Sequence, residues 1–204
     1  MLIKLRPKSE FSRNVLTLMT GTTIAQAIPI AISPILTRIY TPEDFGVFAL
    51  FIGVVGVISV IATLTYEQAI ILPKYDKYAI NIFMLSLILI LFTSIFSFII
   101  IFSFKEEILN LLNNDLLGNW LFFVPITVFF LALFNLLTNY NNRIKEYKDI
   151  AKATVIKSLV LSIIQVLIGF LKSGFAGLIL GQVLAQIFAN FKLAKNILKN
   201  KILL

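Results

Sequence analysis

Residues 78–104, YAINIFMLSLILILFTSIFSFIIIFSF, carry no charged side chain and lie between Lys77 and Lys105. A membrane-spanning helix needs ~20 mostly apolar residues, so this stretch is long enough to cross a bilayer. It lacks the period-two alternation of a membrane barrel strand. We therefore predict that it forms one transmembrane α-helix.

The rest of the chain has the same character. Of its 204 residues, 59% are apolar and 14% charged, and the mean hydropathy is +0.95. A soluble domain is typically ~45–50% apolar and ~25% charged. The sequence thus predicts an all-α polytopic membrane protein, a bundle of six transmembrane helices, whose other spans lie at 14–40, 45–72, 116–140, 150–170 and 175–193.

Residue types exclude several kinds of chemistry. The chain has no histidine and no cysteine, which excludes thiol nucleophiles, disulfides, histidine acid–base catalysis and zinc sites built on either residue. It has no glycine-rich phosphate loop and no carboxylate cluster suited to a metal, since the neighbours Glu106 and Glu107 lie in an outer link where we expect them to be solvated. We expect no enzymatic activity, no cofactor and no metal.

The basic residues predict the orientation in the membrane, because lysine and arginine collect on the cytoplasmic side. The chain has 18 lysine and arginine residues, and three of them lie at span ends on one side of the membrane: Arg38, Lys105 and Lys172. Lys157 lies inside the fifth span. The remaining fourteen fall on the other side: Lys4, Arg6, Lys8, Arg13, Lys74, Lys77, Arg143, Lys145, Lys148, Lys152, Lys192, Lys195, Lys199 and Lys201.

This distribution predicts that both termini are cytoplasmic. We divide the chain into a basic cytoplasmic N-tail (1–13), a transmembrane lobe (14–193) and a basic cytoplasmic C-tail (194–204). The net charge of +8 is then explained by topology and anionic lipid heads, and we expect no nucleic-acid binding.

The connections carry local signals. Thr41-Pro42-Glu43-Asp44 is typical of a helix start, with a threonine cap, proline in the first turn and acids at the positive helix end. Pro73 predicts the end of the second helix, because proline disfavours helical geometry in the residue before it. The leucine and isoleucine spacing of 105–119 indicates a short surface helix.

Ionisable residues at membrane depth are functional candidates because their burial is costly. Arg38 snorkels at the outer end of the first span or contacts substrate. Glu67 pairs with a basic residue of a neighbouring helix or binds a coupling ion. Lys157 snorkels inwards or holds an anion in a cavity.

Polar and small residues mark two of the spans. The first contains Thr22, Gln26, Pro29 and Pro34, which indicate either a bent packing helix or a helix that lines a polar cavity. Small residues allow close helix approach, and amides bond between helices. Helix packing is accordingly predicted for Gly177, Gly181, Ala185, Gln182 and Gln186 of the sixth span, and also for Gly53 and Gly56 of the second.

Four segments together resemble the bacterial polysaccharide exporters, the oligosaccharide-lipid flippases of the multidrug/oligosaccharide-lipid/polysaccharide exporter superfamily. They are PILTRIYTPEDFG at 34–46, YEQAIILP at 66–73, NNRIKEYKDIA at 141–151 and GLILG at 177–181. The chain departs from the family pattern at Thr65, where members often carry arginine.

The resemblance implies a fold of two six-helix lobes around a central cavity, of which this chain matches only the N-terminal one. It implies translocation of lipid-diphosphate-linked oligosaccharide across the inner membrane by alternating access, for O-antigen or capsule synthesis. The partner expected is a C-terminal lobe, a separate half-protein or a second copy.

Within that framework, Arg38 and Lys157 are expected to hold the diphosphate, and Gln26 and Thr22 the sugar. Two alternatives stay open at this point. One is a small-molecule exporter of the same superfamily, and the other is an inactive or partner-dependent membrane fragment.

Overall fold

The computed structural model describes residues 10–62, 64–171 and 174–199. These residues form seven α-helices, two 3-10 helices and no strand. The α-helices are α1 (Glu10–Ile39), α2 (Pro42–Ala62), α3 (Asp76–Ser103), α4 (Lys105–Leu112), α5 (Phe123–Arg143), α6 (Tyr147–Phe170) and α7 (Ala176–Lys199).

Six helical segments in the described part of the chain are long and apolar enough to cross a membrane. They contain α1, α2, α3, α5, α6 and α7, which confirms the predicted all-α six-helix membrane fold. The short α4 lies between the third and fourth spans, within the segment expected to form a surface helix. A 3-10 helix (Asp115–Phe122) then leads into α5.

The second span is shorter than predicted. Its α-helix ends at Ala62 instead of continuing to Leu72. Leu64 and Thr65 adopt positive φ angles of 49° and 61°, which break the helix, and a separate 3-10 helix (Tyr66–Ile71) follows. Glu67 therefore lies in this 3-10 helix, which follows the transmembrane helix and is not the last part of it.

The start of α2 has the capping arrangement that the sequence indicates. The Thr41 Oγ1 accepts a hydrogen bond from the Asp44 backbone N–H at 3.2 Å. The Asp44 carboxylate accepts in return from the Thr41 backbone N–H and hydroxyl, both at 2.9 Å. These bonds satisfy backbone donors that every helix start leaves free.

Two ion pairs define one end of the bundle. Arg143, at the end of α5, contacts Asp76 at the start of α3 (Nη2–Oδ1, 2.8 Å). Lys192, late in α7, lies 3.8 Å from Asp149 at the start of α6. We call this the basic end, because it also contains Arg13, Lys74, Lys77, Lys145, Lys148, Lys152 and Lys195.

Tyr40 connects helices at the opposite end of the bundle, which we call the Tyr40 end. Its hydroxyl donates to the carbonyl of Gln165 in α6 at 2.6 Å. Burial, with a smaller contribution from Asp44, raises the pKa of Tyr40 to about 12. The hydroxyl therefore remains a protonated donor at any physiological pH.

Glycines set the distance between the helices around Tyr40. A Cβ added at Gly177 of α7 would collide with the Tyr40 hydroxyl and lie 3.1 Å from Ile168 Cγ2. One added at Gly181 would lie 2.6 Å from Gln165 Cγ, and Ala185 is fully buried one turn further. This face of α7 thus packs directly on α6.

Among the described residues, Gly53 and Gly56 of α2 make none of the predicted helix contacts. A Cβ at either position would meet no atom within 4 Å, and both residues are exposed. Small residues therefore serve different purposes in α2 and α7, although their spacing along the helix is similar.

We expect the substitution Gly177→Val to destabilise the bundle by ~1–3 kcal/mol, because overpacking of a close contact costs that much. Thermal unfolding in detergent measures the effect. Gly46→Val is the control, since Gly46 is an exposed glycine of α2 with nothing within 4 Å. Equal melting temperatures for the two variants would contradict the assignment.

Candidate functional site

A groove of about 510 Å³ lies between α1 and α6. It brings together three of the four residues expected to bind substrate, namely Thr22, Gln26 and Lys157. Its full lining is Thr22, Ala25, Gln26, Pro29, Ile30, Thr154, Lys157 and Ser158.

Two close contacts between α1 and α6 enclose this groove along the helix axis. At one, Gly21 packs so tightly on Ala151 that an added Cβ would lie 2.5 Å from the Ala151 Cβ. At the other, the side chain of Ile39 occupies the space above Gly169, 2.6 Å from where a Cβ would stand. The groove therefore opens at mid-depth, between two points where the helices touch.

The prolines of α1 supply backbone acceptors to the groove. Proline has no N–H, so the carbonyl four residues earlier lacks its usual helical partner. Pro29 leaves the carbonyl of Ala25 in this state, and Pro34 leaves that of Ile30. Because Ala25 and Ile30 both line the groove, we expect these carbonyls to be available to a ligand.

Lys157 is the one basic residue that lines the groove. Its ammonium lies 4.6 Å from the centre of the Phe134 ring, a cation–π distance. Among the described residues no carboxylate forms an ion pair with it, because the ion pairs present join Arg143 to Asp76 and Lys192 to Asp149. The ammonium charge is thus not neutralised within this part of the chain.

Uncharged polar side chains line the same groove as Lys157. The Thr22 hydroxyl donates to the carbonyls of Leu18 and Met19, and the Thr154 hydroxyl donates to Ile150, so the two hydroxyl oxygens remain as acceptors. Gln26 is exposed and makes no hydrogen bond to any described residue, which leaves its amide free to donate and accept. The groove therefore offers a cation together with neutral donors and acceptors.

Arg38 does not line this groove. It is exposed near the Tyr40 end of α1, ~18 Å along the helix from Gln26 at 1.5 Å per residue. The structure thus places the two predicted cations at different depths, and Lys157 alone is in the groove.

Glu67 lies in the 3-10 helix at the basic end and is 7% exposed. Its Oε2 has no hydrogen-bond partner, and no basic residue forms an ion pair with Glu67 within the described ranges. The expected pairing with a basic side chain is therefore not present there.

Arg143 fixes the segment that carries Glu67. Its Nη1 donates to the carbonyls of Ile70 (3.0 Å) and Pro73 (2.7 Å), while Nη2 contacts Asp76. The sequence indicated only a topological role for Arg143, because nothing in the spacing of 141–151 shows which carbonyls a guanidinium will meet.

The amides of α7 lie in the core. Gln186 is fully buried and neither of its amide atoms has a hydrogen-bond partner in the described part of the chain. Gln182 is half-buried, and the amide nitrogen of the neighbouring Asn190 donates to the carbonyl of Phe130 in α5 at 2.7 Å. This stripe therefore faces other helices and not the α1–α6 groove.

Sequence reasoning missed Thr154 and Ser158 as groove residues. They lie three residues before and one residue after Lys157, and the first of these spacings puts Thr154 on the same helix face. The spacing in the sequence therefore predicts Thr154 as a neighbour of Lys157 on α6. The pairing of α1 with α6, in contrast, joins helices far apart in the sequence and leaves no trace in local spacing.

Comparison with known proteins identifies the family. Residues 35–196, most of the chain, match the model of a family described as polysaccharide biosynthesis protein. The α6 residues of the groove lie inside this range, and its α1 residues lie outside it. No curated protein and no solved structure matches the chain. The match and the six membrane-spanning helices agree with each other, and the chain belongs to the polysaccharide biosynthesis protein family.

Proposed function

We propose that this chain is a transporter lobe that moves lipid-diphosphate-linked oligosaccharide across the bacterial inner membrane, for the synthesis of O-antigen or capsule. The main support for the proposal is the α1–α6 groove, which is lined by Lys157, whose ammonium has no ion-pair partner among the described residues, and by the polar side chains of Thr22, Gln26 and Thr154. The family supports a role in polysaccharide biosynthesis.

The substrate has two polar parts with different requirements. A diphosphate inside a membrane needs a cation, because an unpaired anion in an apolar medium is prohibitively costly. Lys157 meets this need. The sugar hydroxyls need acceptors and donors, which the carbonyls of Ala25 and Ile30, the Gln26 amide and the Thr22 oxygen supply. The lipid tail remains in the bilayer.

Arg38 belongs to a different stage of the same path. It is exposed at the Tyr40 end, which we assign to the outer face of the membrane. There it receives the diphosphate as the headgroup leaves the groove. The substrate is thus passed from Lys157 of α6 to Arg38 of α1.

Among the described residues, two helices line the groove, α1 and α6. Translocation by alternating access therefore needs a further wall. We propose that a C-terminal lobe, a separate half-protein or a second copy of the chain supplies it. The chain then acts as a transporter and not as an enzyme, and Lys157 and Gln26 contact the substrate without reacting with it.

We expect Lys157→Gln to weaken binding of a lipid-diphosphate oligosaccharide at least ~10-fold, because a hydrogen bond to a charged group contributes ~1.5–3 kcal/mol. Binding to the chain in nanodiscs measures this, and Lys157→Arg should retain most of the affinity. Lys152→Gln, an exposed lysine of the same helix, is the control.

Unchanged binding in a variant with both Arg38→Gln and Lys157→Gln would overturn the substrate assignment. Binding of cationic drugs instead of the lipid-linked sugar by the unaltered chain would favour a small-molecule exporter. Variants that keep the melting temperature of the unaltered chain are folded, so their binding can then be compared directly with that of the unaltered chain.

Orientation is testable because the chain contains no cysteine. With the basic end in the cytoplasm, a membrane-impermeant maleimide should label Asn110→Cys in intact cells and label Lys145→Cys only after lysis. Both positions are exposed, one in α4 and one just after α5. The reverse labelling pattern would contradict the proposed topology.

Glu67 is our candidate for the residue that binds the coupling proton or cation, because it is a buried carboxylate with an oxygen that lacks a partner. We expect Glu67→Gln to reduce transport at least ~10-fold, as loss of a charged contact would, with no loss of thermal stability. Glu106→Gln, an exposed glutamate of α4, is the control. Normal transport by Glu67→Gln would exclude the coupling role, and a lowered melting temperature would indicate a structural one.

A further inference from the structure

A second groove, of about 540 Å³, lies between α2 and α3 and is bordered by α4. Its walls are aliphatic and aromatic side chains, among them Leu50 and Val57 of α2, Ile100 of α3 and Leu111 of α4. It shares no residue with the groove between α1 and α6 and uses none of the same helices.

The two hydroxyl groups in its lining are already satisfied. Thr93 donates to the carbonyl of Ala62 at 3.2 Å, and Ser97 donates to that of Ser94 at 2.9 Å. No charged side chain lines the groove. It therefore presents hydrocarbon to any occupant and has no free hydroxyl donor to attract water or a sugar.

Gly53 of α2 gives this groove its depth. A side chain at that position would meet no atom within 4 Å, so the space is open from the helix backbone outwards. In a bilayer such a space is filled with hydrocarbon, because an empty one would lose the dispersion contacts of its walls.

We propose that this groove binds one acyl chain of a bilayer phospholipid. The tail of the transported lipid is a weaker occupant, because its headgroup would lie in the α1–α6 groove on other helices. The proposal needs only that the six helices span the membrane, so it stands or falls separately from the transport function.

The charged residues of α4 beside the groove determine which lipid headgroup is preferred. Glu106 and Glu107 are exposed in its first turn, and Glu107 is four residues from the groove residue Leu111, on the same helix face. The one lysine there, Lys105, donates to the neutral amide of Asn119 at 2.9 Å and keeps its charge, so Lys105, Glu106 and Glu107 together carry a net charge of −1. This surface attracts the ammonium of phosphatidylethanolamine and repels the net negative charge of phosphatidylglycerol.

Native mass spectrometry of the full chain tests the proposal after reconstitution with equal amounts of the two phospholipids and gentle extraction. We expect one phosphatidylethanolamine per chain and at least a tenfold loss of it in Gly53→Leu. Gly56→Leu is the matched control, because it adds the same side chain three residues along α2, where Gly56 is exposed but does not line the groove.

Ala49 also lines the groove, so the variant Ala49→Leu should lose the lipid in the same way. This second variant keeps the proposal testable if Gly53→Leu does not fold. The double variant Glu106→Gln with Glu107→Gln should keep a lipid and lose the headgroup preference.

Equal retention of the lipid by Gly53→Leu and Gly56→Leu would overturn the proposal, as would displacement of the phospholipid by lipid-linked oligosaccharide. A dimer that Gly53→Leu dissociates would instead show a second copy in the groove and would also overturn it.

Discussion

Hydrocarbon offers no partner to a backbone N–H or C=O, so a chain in a bilayer must satisfy these groups internally. The six spans do so by remaining helical over their length, and the helix ends rely on local devices such as the Thr41–Asp44 cap. Pro29 and Pro34 break this rule inside α1. Each proline removes one backbone hydrogen bond, which is tolerable where the backbone lines a cavity, and Pro29 itself lines the α1–α6 groove.

The same constraint makes an unpaired cation informative. Arg143 and Lys192 at the basic end have carboxylate partners, whereas the ammonium of Lys157 contacts only the face of Phe134 for electrostatic stabilisation among the described residues. Such an arrangement leaves most of the cost of burying the charge without compensation. An anionic ligand would offset that cost, which connects the electrostatics of the groove to the diphosphate of the proposed substrate.

Composition was sufficient to predict six helices because hydropathy measures what the bilayer requires. It did not locate the end of α2, since residues 64–71 contain no proline or glycine that would indicate a helix end, and the positive φ of Leu64 and Thr65 ends the helix. Glycine spacing was similarly ambiguous. Gly177 packs on Tyr40 while Gly53 faces an open groove, and the difference depends on neighbours distant in sequence. For the same reason the sequence could nominate Gln26 and Lys157 separately but not show that α1 lies against α6.

The glycine contacts also restrict how the proposed transport would work. Gly21 on Ala151 and Gly169 on Ile39 hold α1 against α6 at both ends of the groove, and Gly177 ties α7 to the residue that follows α1. Tightly packed contacts of this kind resist gradual deformation, so α1, α6 and α7 are expected to move as one body. In the proposed transport, the groove would therefore not open by separation of α1 from α6. Access would instead alternate at a surface of this three-helix body, which would make the proposed partner part of the mechanism and not only a support for it.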